Sequence, residues 1–342
     1  MTARWFVGGL QASLQMLTWQ RLRHGAYVGL SYLLARTRLR WAPPKYPLFL
    51  GVEPTTACNL RCPQCISGLR AFTRPTGRMD PTLLEKLLDE LHPYLWGVLF
   101  YFQGEPLLHP EIGRLIRTAS QYRLLTSLST NGHFLTDEKI EELILAGLTH
   151  LRLSIDGMTQ ESYSLYRQGG SLATVQKGLE RLLTLRKAFG SRFPLVEVQF
   201  IAFKHNYAEI PAFKAWARKI GADYARIKTA QLLDLSPEAY DSWIPPQASR
   251  YARTPTGEIQ LQKPLPHACW RLWRSAEITW DGQVLPCCFD KNAEHAFGSV
   301  QEASFAAAWH SPPAEAFRKT VFQHRESIDI CRNCSEGIRT WL

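Results

Sequence analysis

Cys58-Asn59-Leu60-Arg61-Cys62-Pro63-Gln64-Cys65 places three cysteines within eight residues of chain. Three thiolates at this spacing on a short loop can hold three irons of a cubane iron–sulfur cluster. The fourth iron is then left without a protein ligand, and an open coordination position suits chemistry on a bound molecule. The alternative is a zinc site formed by three cysteines and a histidine, which needs no particular fold around it.

From Leu48 onward the sequence alternates short apolar runs with helical patterns. The first apolar run ends just before the cysteines. Its composition, like that of five later runs, is typical of parallel strands buried on both faces. These strands are predicted over residues 48–53, 97–102, 125–130, 149–155, 195–201 and 223–229.

Helices are predicted between the strands. Asp80 followed by Pro81 favours a helix start, as does Thr136 before two acidic residues. The helical spacing of apolar residues predicts two further helices, over 172–189 and 207–220, the second ending at Gly221. Six strands with intervening helices predict an α/β fold, a partial (β/α)6 barrel of the TIM type. Ligands are expected at the carboxyl ends of its strands.

The predicted domains follow from where this pattern begins and ends. Prolines interrupt the chain repeatedly after about residue 236, and five of the eight cysteines lie beyond that point. We predict a basic amphipathic helical arm over 1–46, the barrel over 47–236, a linker over 237–266 and a small cysteine-bearing module over 267–342.

Four polar motifs follow the predicted strands at or just beyond their carboxyl ends. They are Gln103-Gly104-Glu105-Pro106, Ser129-Thr130-Asn131-Gly132, Ser154-Ile155-Asp156-Gly157 and Tyr166-Arg167-Gln168-Gly169-Gly170. Alone, each Asn-Gly or Asp-Gly pair would be a turn, and the arginine a surface ion-pair partner. In this order, and combined with the cysteine motif, they resemble the radical S-adenosylmethionine (radical SAM) enzymes over about residues 48–230.

The resemblance implies a cofactor and a set of site residues. Cys58, Cys62 and Cys65 would hold a [4Fe–4S] cluster whose open iron binds the amino and carboxyl groups of S-adenosylmethionine. One electron then cleaves the sulfonium and yields a 5′-deoxyadenosyl radical. The expected cofactor contacts are Gln103, Gly104, Glu105 and Pro106 at the methionine ammonium, Ser129, Asn131, Ser154 and Asp156 at the ribose, and Arg167 at the methionine carboxylate. Gln103 replaces the first glycine of the family pattern.

The C-terminal cysteines indicate a second metal centre. Residues 278–286 predict a hairpin with a two-residue turn at Asp281 and Gly282, which places Cys287 at the end of the return strand. A four-cysteine zinc ribbon fits the spacing as well as an iron–sulfur cluster does. The arrangement resembles the SPASM and Twitch auxiliary-cluster modules of the radical SAM family. That resemblance implies one fully ligated [4Fe–4S] cluster for electron transfer, bound by Cys269, Cys287, Cys331 and Cys334.

Positive charge is concentrated at the N-terminus. The net charge is +10, and residues 1–47 hold seven basic residues and no acid, which leaves 33 basic against 30 acidic residues elsewhere. A nucleic-acid partner is therefore not expected. With no evident cleavable signal and cysteines grouped for metal binding, we expect a cytoplasmic protein. The arm is expected either to lie on the inner face of the membrane, to pack over the barrel, or to contact a partner protein.

The combined features predict a radical SAM oxidoreductase. Its substrate would be a small molecule, a peptide or a lipid, and an electron donor such as flavodoxin or ferredoxin would serve it. One alternative is a redox-neutral epimerase in which Cys288, the cysteine without an assigned partner, donates a hydrogen atom; the competing interpretation of Cys288 is a buried packing residue. The other alternative is a non-catalytic iron–sulfur protein.

Overall fold

The computed structural model describes the backbone of residues 3–336 and the side chains from residue 8 onward. The ends of the predicted arm and module, residues 1–2 and 337–342, lie outside the described residues. The strands are β1 Phe49–Val52, β2 Gly97–Phe100, β3 Leu125–Thr130, β4 His150–Ser154, β5 Leu195–Ala202, β6 Tyr224–Thr229, β7 Tyr251–Arg253, β8 Ile259–Leu261, β9 Ser275–Ile278, β10 Gln283–Leu285 and β11 Gly298–Ser299.

The helices fall between and around these strands. They are α1 Ala3–Met16, α2 Trp19–Arg36, α3 Ile66–Leu69, α4 Pro81–Leu91, α5 Ile112–Gln121, α6 Asp137–Leu145, α7 Gln160–Tyr166, α8 Leu172–Ala188, α9 Ile210–Lys219, α10 Pro237–Trp243, α11 Trp270–Arg274, α12 Phe305–Trp309, α13 Pro312–His324 and α14 Asp329–Arg332. None of the described helices is both long and apolar enough to span a bilayer.

Six parallel strands, β1 to β6 in chain order, form the barrel wall and confirm the predicted fold class. The wall helices begin where the sequence predicts. Asp80 caps α4 by accepting from the Thr82 amide at 2.9 Å, and Thr136 caps α6 in the same way from Lys139. The apolar sides of these helices pack on the strands, with Leu84, Leu88 and Ile140 fully buried.

The C-terminal module extends the barrel sheet instead of standing apart from it. Strand β9 pairs in parallel with β1, and β10 and β11 continue antiparallel, so the described residues form a nine-stranded sheet. The predicted two-residue turn of the β9–β10 hairpin is wrong. Thr279 pairs with Gln283 across a three-residue loop that ends at Gly282, where φ is +85° and glycine is favoured.

The predicted linker over 237–266 is structured. It contains α10 and a β7–β8 hairpin. Tyr251 of β7 is fully buried and packs in one apolar cluster with Leu60 and Cys62 of the first cysteine segment. The proline-rich segment is therefore a folded part of the molecule that packs on the cysteine loop.

The N-terminal helices pack on the barrel. Arg21 of α2 is buried and donates to the carbonyls of Met16, His92, Tyr122 and Arg123, at 2.7 to 3.3 Å. The arm also contacts the C-terminal module, because the Trp273 indole donates to the Ser31 hydroxyl at 2.9 Å. Of the three expectations for the arm, the structure thus shows packing against the barrel, and it does so for the inner side of the arm.

Candidate functional site

The first cysteine segment forms a loop between β1 and α3. Cys62 is buried, Cys58 and Cys65 are half-buried, and Cys65 is the residue that precedes α3. The loop is held from two sides. The Arg61 amide donates to the Gln168 carbonyl at 3.0 Å, and the Gln64 side chain accepts from the Leu233 amide at 2.7 Å. The three thiols are therefore fixed above the carboxyl end of the barrel strands.

The turn after β2 crosses closely behind this loop. Gly104 has φ +72°, and a Cβ atom there would lie 2.1 Å from the Thr55 carbonyl oxygen, so glycine is required. The Gly104 amide donates to the Ser67 hydroxyl at 3.0 Å, and that hydroxyl donates to the Gln103 side chain at 3.2 Å. Gln103, which departs from the family pattern, is thus tied to the helix that follows Cys65.

Glu105 connects the ends of β2 and β3. Its buried carboxylate accepts from the Asn131 amide at 2.8 Å, the Thr130 hydroxyl at 2.7 Å and the Leu107 amide at 3.1 Å. Burial raises the pKa of Glu105, and these three hydrogen bonds oppose that shift by stabilising the carboxylate. Glu105 therefore fixes the β3 turn, and the Asn131 side chain turns toward the cysteine loop, donating to Asn59 at 2.7 Å.

Arg167 is anchored by the acidic residue after β4. Two of its guanidinium nitrogens lie 2.6 and 2.7 Å from one carboxylate oxygen of Asp156, and the other oxygen accepts from the Ile201 amide at 2.6 Å. Asp156 is fully buried, so both of its oxygens are engaged within the protein. Asp156 lies behind Arg167 and not on the cavity wall.

A cavity of about 160 Å³ opens between these elements. Its wall unites most of the residues that the sequence singled out, namely Cys58, Cys62, Cys65, Gln103, Gly104, Glu105, Ser129, Asn131, Ser154 and Arg167. Two predicted contacts do not line it. Asp156 is behind Arg167, and Pro106 begins a short 3-10 helix beside the cavity.

Four other cysteines converge in the C-terminal module. Cys269 precedes α11, Cys287 follows β10, and Cys331 and Cys334 lie in and after α14. All four line one small enclosed cavity of about 20 Å³. The sequence-predicted ligands are thus gathered although Cys269 and Cys334 are 65 positions apart.

A buried arginine accompanies this second group. Arg325 donates to the Cys334 sulfur at 3.4 Å and to the Pro266 carbonyl at 3.1 Å. Its positive charge favours thiolate at the neighbouring cysteines. Cys288 does not line the cavity, and its sulfur accepts from Arg271 at 3.3 Å. Asp290, the acid nearest to Cys288 in sequence, accepts from the Glu294 and His295 amides and so shapes the following loop.

The chemistry of these residues fits iron–sulfur clusters. All eight cysteines are free thiols. Burial raises the pKa of Cys62 to about 11 and that of Cys334 to about 12, so thiolate there requires a cationic centre such as cluster iron. Among the described residues, no three Cys, His, Asp or Glu side chains are placed to hold a single metal ion. Zinc would need its sulfurs about 2.3 Å from one ion, whereas a [4Fe–4S] cluster binds each thiolate to a different iron.

The two sites are joined through the sheet and the loops above it. Glu53, which follows β1, forms a buried two-contact ion pair with Arg74 of the segment after the first cysteines, at 2.5 and 2.9 Å. Arg74 also donates to the Lys291 carbonyl beyond Cys288 at 2.8 Å. Tyr251 donates to the Asn333 side chain between the last two cysteines at 2.8 Å. These contacts fix one site relative to the other.

Several residues at the sites carried no sequence signal. Ser67 lines the first cavity and Arg325 the second, and Tyr166 and Thr130, which also line the first, were quoted in motifs but given no role. Ser, Tyr and Arg are common at any surface, and only the folded chain brings them to the cysteines. Thr130 lies inside a quoted motif, so its place at a strand end could have suggested it.

Known proteins match both parts of the chain. Residues 52–195 match the Radical SAM superfamily, and residues 269–335 match SPASM, an iron–sulfur cluster-binding domain. The tungsten-containing aldehyde ferredoxin oxidoreductase cofactor-modifying protein of Pyrococcus furiosus is 27% identical over 84% of this chain and 87% of its own. The PqqA peptide cyclase of Gluconobacter oxydans is 27% identical over 87% of this chain and 85% of its own.

Solved structures give the same fold. SuiB of Streptococcus suis bound to S-adenosylmethionine superposes with a TM-score of 0.63 at 14% identity, over 93% of this chain and 76% of its own. SuiB has also been solved bound to its precursor peptide SuiA. The Radical SAM domain implies a [4Fe–4S] cluster and S-adenosylmethionine, and the SPASM domain implies further iron–sulfur binding. The chain therefore belongs to the radical SAM enzymes that carry a C-terminal SPASM domain.

Proposed function

We propose that this radical SAM/SPASM enzyme is an oxidoreductase that removes a hydrogen atom from a C–H bond of its substrate and then takes an electron from the substrate radical. The observation that carries the proposal is the contrast between the two thiol sites. Three cysteines face an open cavity of about 160 Å³, whereas four enclose a space of about 20 Å³. A site with an open position suits ligand chemistry, and a fully ligated one suits electron transfer.

The protein residues have defined tasks in this proposal. When bound, the first cluster and S-adenosylmethionine together supply the 5′-deoxyadenosyl radical. Cys58, Cys62 and Cys65 hold that cluster, and Arg167 binds the methionine carboxylate while Asp156 keeps the guanidinium in place. Glu105 holds the Asn131 turn against the cavity. The packed cover formed by the β7–β8 hairpin excludes water from the cysteine loop.

In the proposed reaction the substrate loses two electrons and two protons. The substrate gives one hydrogen atom to the deoxyadenosyl group, which leaves as 5′-deoxyadenosine. The substrate radical then loses one electron, for which the auxiliary cluster would be the acceptor, and one proton, which passes to solvent or a base. Cys269, Cys287, Cys331 and Cys334 would hold the auxiliary cluster, which would supply the acceptor for this electron, and a carrier protein such as flavodoxin or ferredoxin would receive it. The same carriers, when reduced, supply the electron that begins the next turnover.

The comparisons support a peptide as the first substrate class to test. One relative is named a peptide cyclase, and the structural neighbour SuiB is solved with a precursor peptide. Another relative is named for modification of a cofactor, so small molecules stay as the second class.

We place the enzyme in the cytoplasm, with contact at the inner face of the membrane through residues 1–46.

The test is cleavage of S-adenosylmethionine by anaerobically reconstituted, dithionite-reduced protein. Wild type should form 5′-deoxyadenosine. Joint replacement of Cys331 and Cys334 by Ala should leave this cleavage in place but stop substrate oxidation, because only the electron acceptor is lost. Absence of 5′-deoxyadenosine with wild type would favour the non-catalytic iron–sulfur protein. Substrate oxidation by the double variant would contradict the role of the auxiliary cluster.

A second candidate reaction rests on Cys288. Its thiol is not among the residues that line the four-cysteine cavity and lies beside Arg271, which supports a role other than cluster ligand. A thiol can return a hydrogen atom to a carbon radical, which would make the reaction a redox-neutral epimerisation. In deuterated water, the epimerisation product would carry one solvent deuterium. A product without solvent deuterium would favour oxidation over epimerisation.

A further inference from the structure

The two N-terminal helices have an unusual distribution of side chains. The inner side of helix α2 buries Arg21, His24 and Ser31, and each makes a hydrogen bond to a backbone carbonyl there. Its outer side carries Leu22, Ala26, Leu30 and Leu33, spaced along one helical stripe, and Leu30 and Leu33 are 56% and 53% exposed. A helix on a water-facing surface normally has the reverse arrangement.

Helix α1 adds a second outward stripe. Ala12 and Met16 are buried against the barrel, whereas Leu10, Leu14 and Leu17 are exposed on the other side. Nine of the fourteen exposed large apolar side chains in the described part of the chain fall between residues 10 and 39. A concentration of this kind marks an interaction surface and not ordinary scatter.

A basic groove adjoins the end of this apolar surface. It lies between the segment after α2 and the C-terminal module, and it has a volume of about 760 Å³. Trp41 and Phe322 line its apolar part. No described residue that lines the groove is acidic, and its rim consists of Arg36, Arg38, Arg40, His267, Lys319 and His324.

We propose that the outer side of α1 and α2 docks on an anionic phospholipid bilayer, and that the groove binds phosphate headgroups at its edge. The charge pattern favours this occupant. Residues 1–47 contain no acid, so a symmetric contact with a second copy would place arginines against arginines. Arg23, Arg36, Arg38 and Arg40, the exposed arginines among the arm side chains that the structure describes, instead complement lipid phosphates.

The surroundings favour lipid over free phosphate. The groove arginines are exposed, whereas a site for a small free anion would bury its donors around the ion. Leu39 is 76% exposed between Arg38 and Arg40, which joins the cationic rim to the apolar surface. Trp19, 75% exposed at the start of α2, is a residue type enriched at membrane–water interfaces. An interfacial surface that combines apolar and cationic side chains in this way suits peripheral binding.

The test uses the full holoenzyme and sedimentation with vesicles. Wild type should bind vesicles of phosphatidylcholine mixed with phosphatidylglycerol, and should bind pure phosphatidylcholine far less. Each basic residue at an anionic surface strengthens binding about fivefold, so replacing Arg36, Arg38 and Arg40 by Ser should weaken it roughly a hundredfold. The matched control removes three exposed lysines from barrel helices, Lys187, Lys214 and Lys219, and should bind like wild type.

Further experiments distinguish binding to the bilayer from binding to free phosphate or to a second copy of the chain. Replacing Leu30 and Leu33 by Ser should also reduce binding, and both variants should still form 5′-deoxyadenosine because neither touches the clusters. Inorganic phosphate at constant ionic strength should not displace the vesicles. Equal binding by the arginine variant and its lysine control would overturn the proposal. The proposal would also be overturned if wild type were a dimer that does not bind vesicles and that becomes monomeric when Leu30 and Leu33 are replaced.

Discussion

Arg167 and Asp156 show how one buried pair prepares a binding site. The carboxylate uses one oxygen for two guanidinium nitrogens and the other for a backbone amide, so the arginine is fixed before any ligand arrives. A guanidinium held in this way loses little side-chain entropy on binding a carboxylate. The sequence motif indicated both residues, but it assigned Asp156 to the ribose, whereas the structure gives it a supporting position.

We expect Arg167→Ala to weaken S-adenosylmethionine binding about tenfold or more. A charge-assisted contact with a carboxylate is worth roughly 1.5–3 kcal/mol. Asp156→Asn should weaken binding less, because it releases the guanidinium without removing it. Isothermal titration of reconstituted protein measures both affinities. Arg181→Ala, which breaks an exposed ion pair with Asp137, is the control. Unchanged affinity in Arg167→Ala would remove this residue from the site.

Two adjacent cysteines provide a second comparison at this scale. Cys287 lines the enclosed cavity of the module, and Cys288 does not. We expect Cys287→Ser to lose the auxiliary cluster and Cys288→Ser to retain it, because only the first removes a ligand. Iron analysis after anaerobic reconstitution should give about four and about eight irons per chain. If Cys288→Ser also fell to about four, the ligand assignment would be wrong.

At the scale of elements, the arm depends on one buried arginine. Arg21 satisfies carbonyls at the ends of α1, α4 and α5, which otherwise lack partners at helix ends. We expect Arg21→Ala to lower the free energy of unfolding by about 2–4 kcal/mol, because it removes a buried side chain and leaves one buried and three part-buried carbonyls without their donor.

Denaturant titration and limited proteolysis of the arm both report this change. Arg23→Ala removes the same charge from an exposed position two residues later and should leave both readouts close to wild type. Equal stability of the two variants would show that the arm does not depend on the Arg21 contacts.

The elements that were predicted well are those with a local signal. The run 125–130 coincides with β3, and the other barrel strands agree within about two residues because each is an apolar run between turn residues. Strand β2 ends early, at Phe100, where the chain leaves the sheet to form the Gln103 turn. The hairpin loop was predicted one residue too short, since an Asp-Gly pair occurs in two-residue and three-residue loops alike.

The elements that were missed depend on distant contacts. Nothing in residues 275–278 indicates that β9 pairs with β1, more than 200 positions earlier, because pairing in parallel sheets is set by the whole fold. The proline-rich segment 237–266 was predicted as a linker for the same reason. Its buried contacts are with Leu60 and Cys62, which local sequence cannot report.

At the scale of the molecule, one sheet supports both thiol sites. The first lies after β1, and the second is built around β9 and β10 on the neighbouring side of β1. The Glu53–Arg74 pair and the Tyr251–Asn333 hydrogen bond then fix the loops above the sheet. The cysteine ligands could be chosen from spacing and resemblance, whereas this mutual placement could come only from the fold.

The three-cysteine site should make the radical, and the four-cysteine site should not. The direct measurement is iron content together with 5′-deoxyadenosine formation in two matched variants. Replacing Cys58, Cys62 and Cys65 by Ala should leave about four irons per chain and abolish 5′-deoxyadenosine. Replacing Cys269, Cys287, Cys331 and Cys334 by Ala should also leave about four irons but keep its formation. Zinc in place of iron at either site, or 5′-deoxyadenosine from the first variant, would contradict the account.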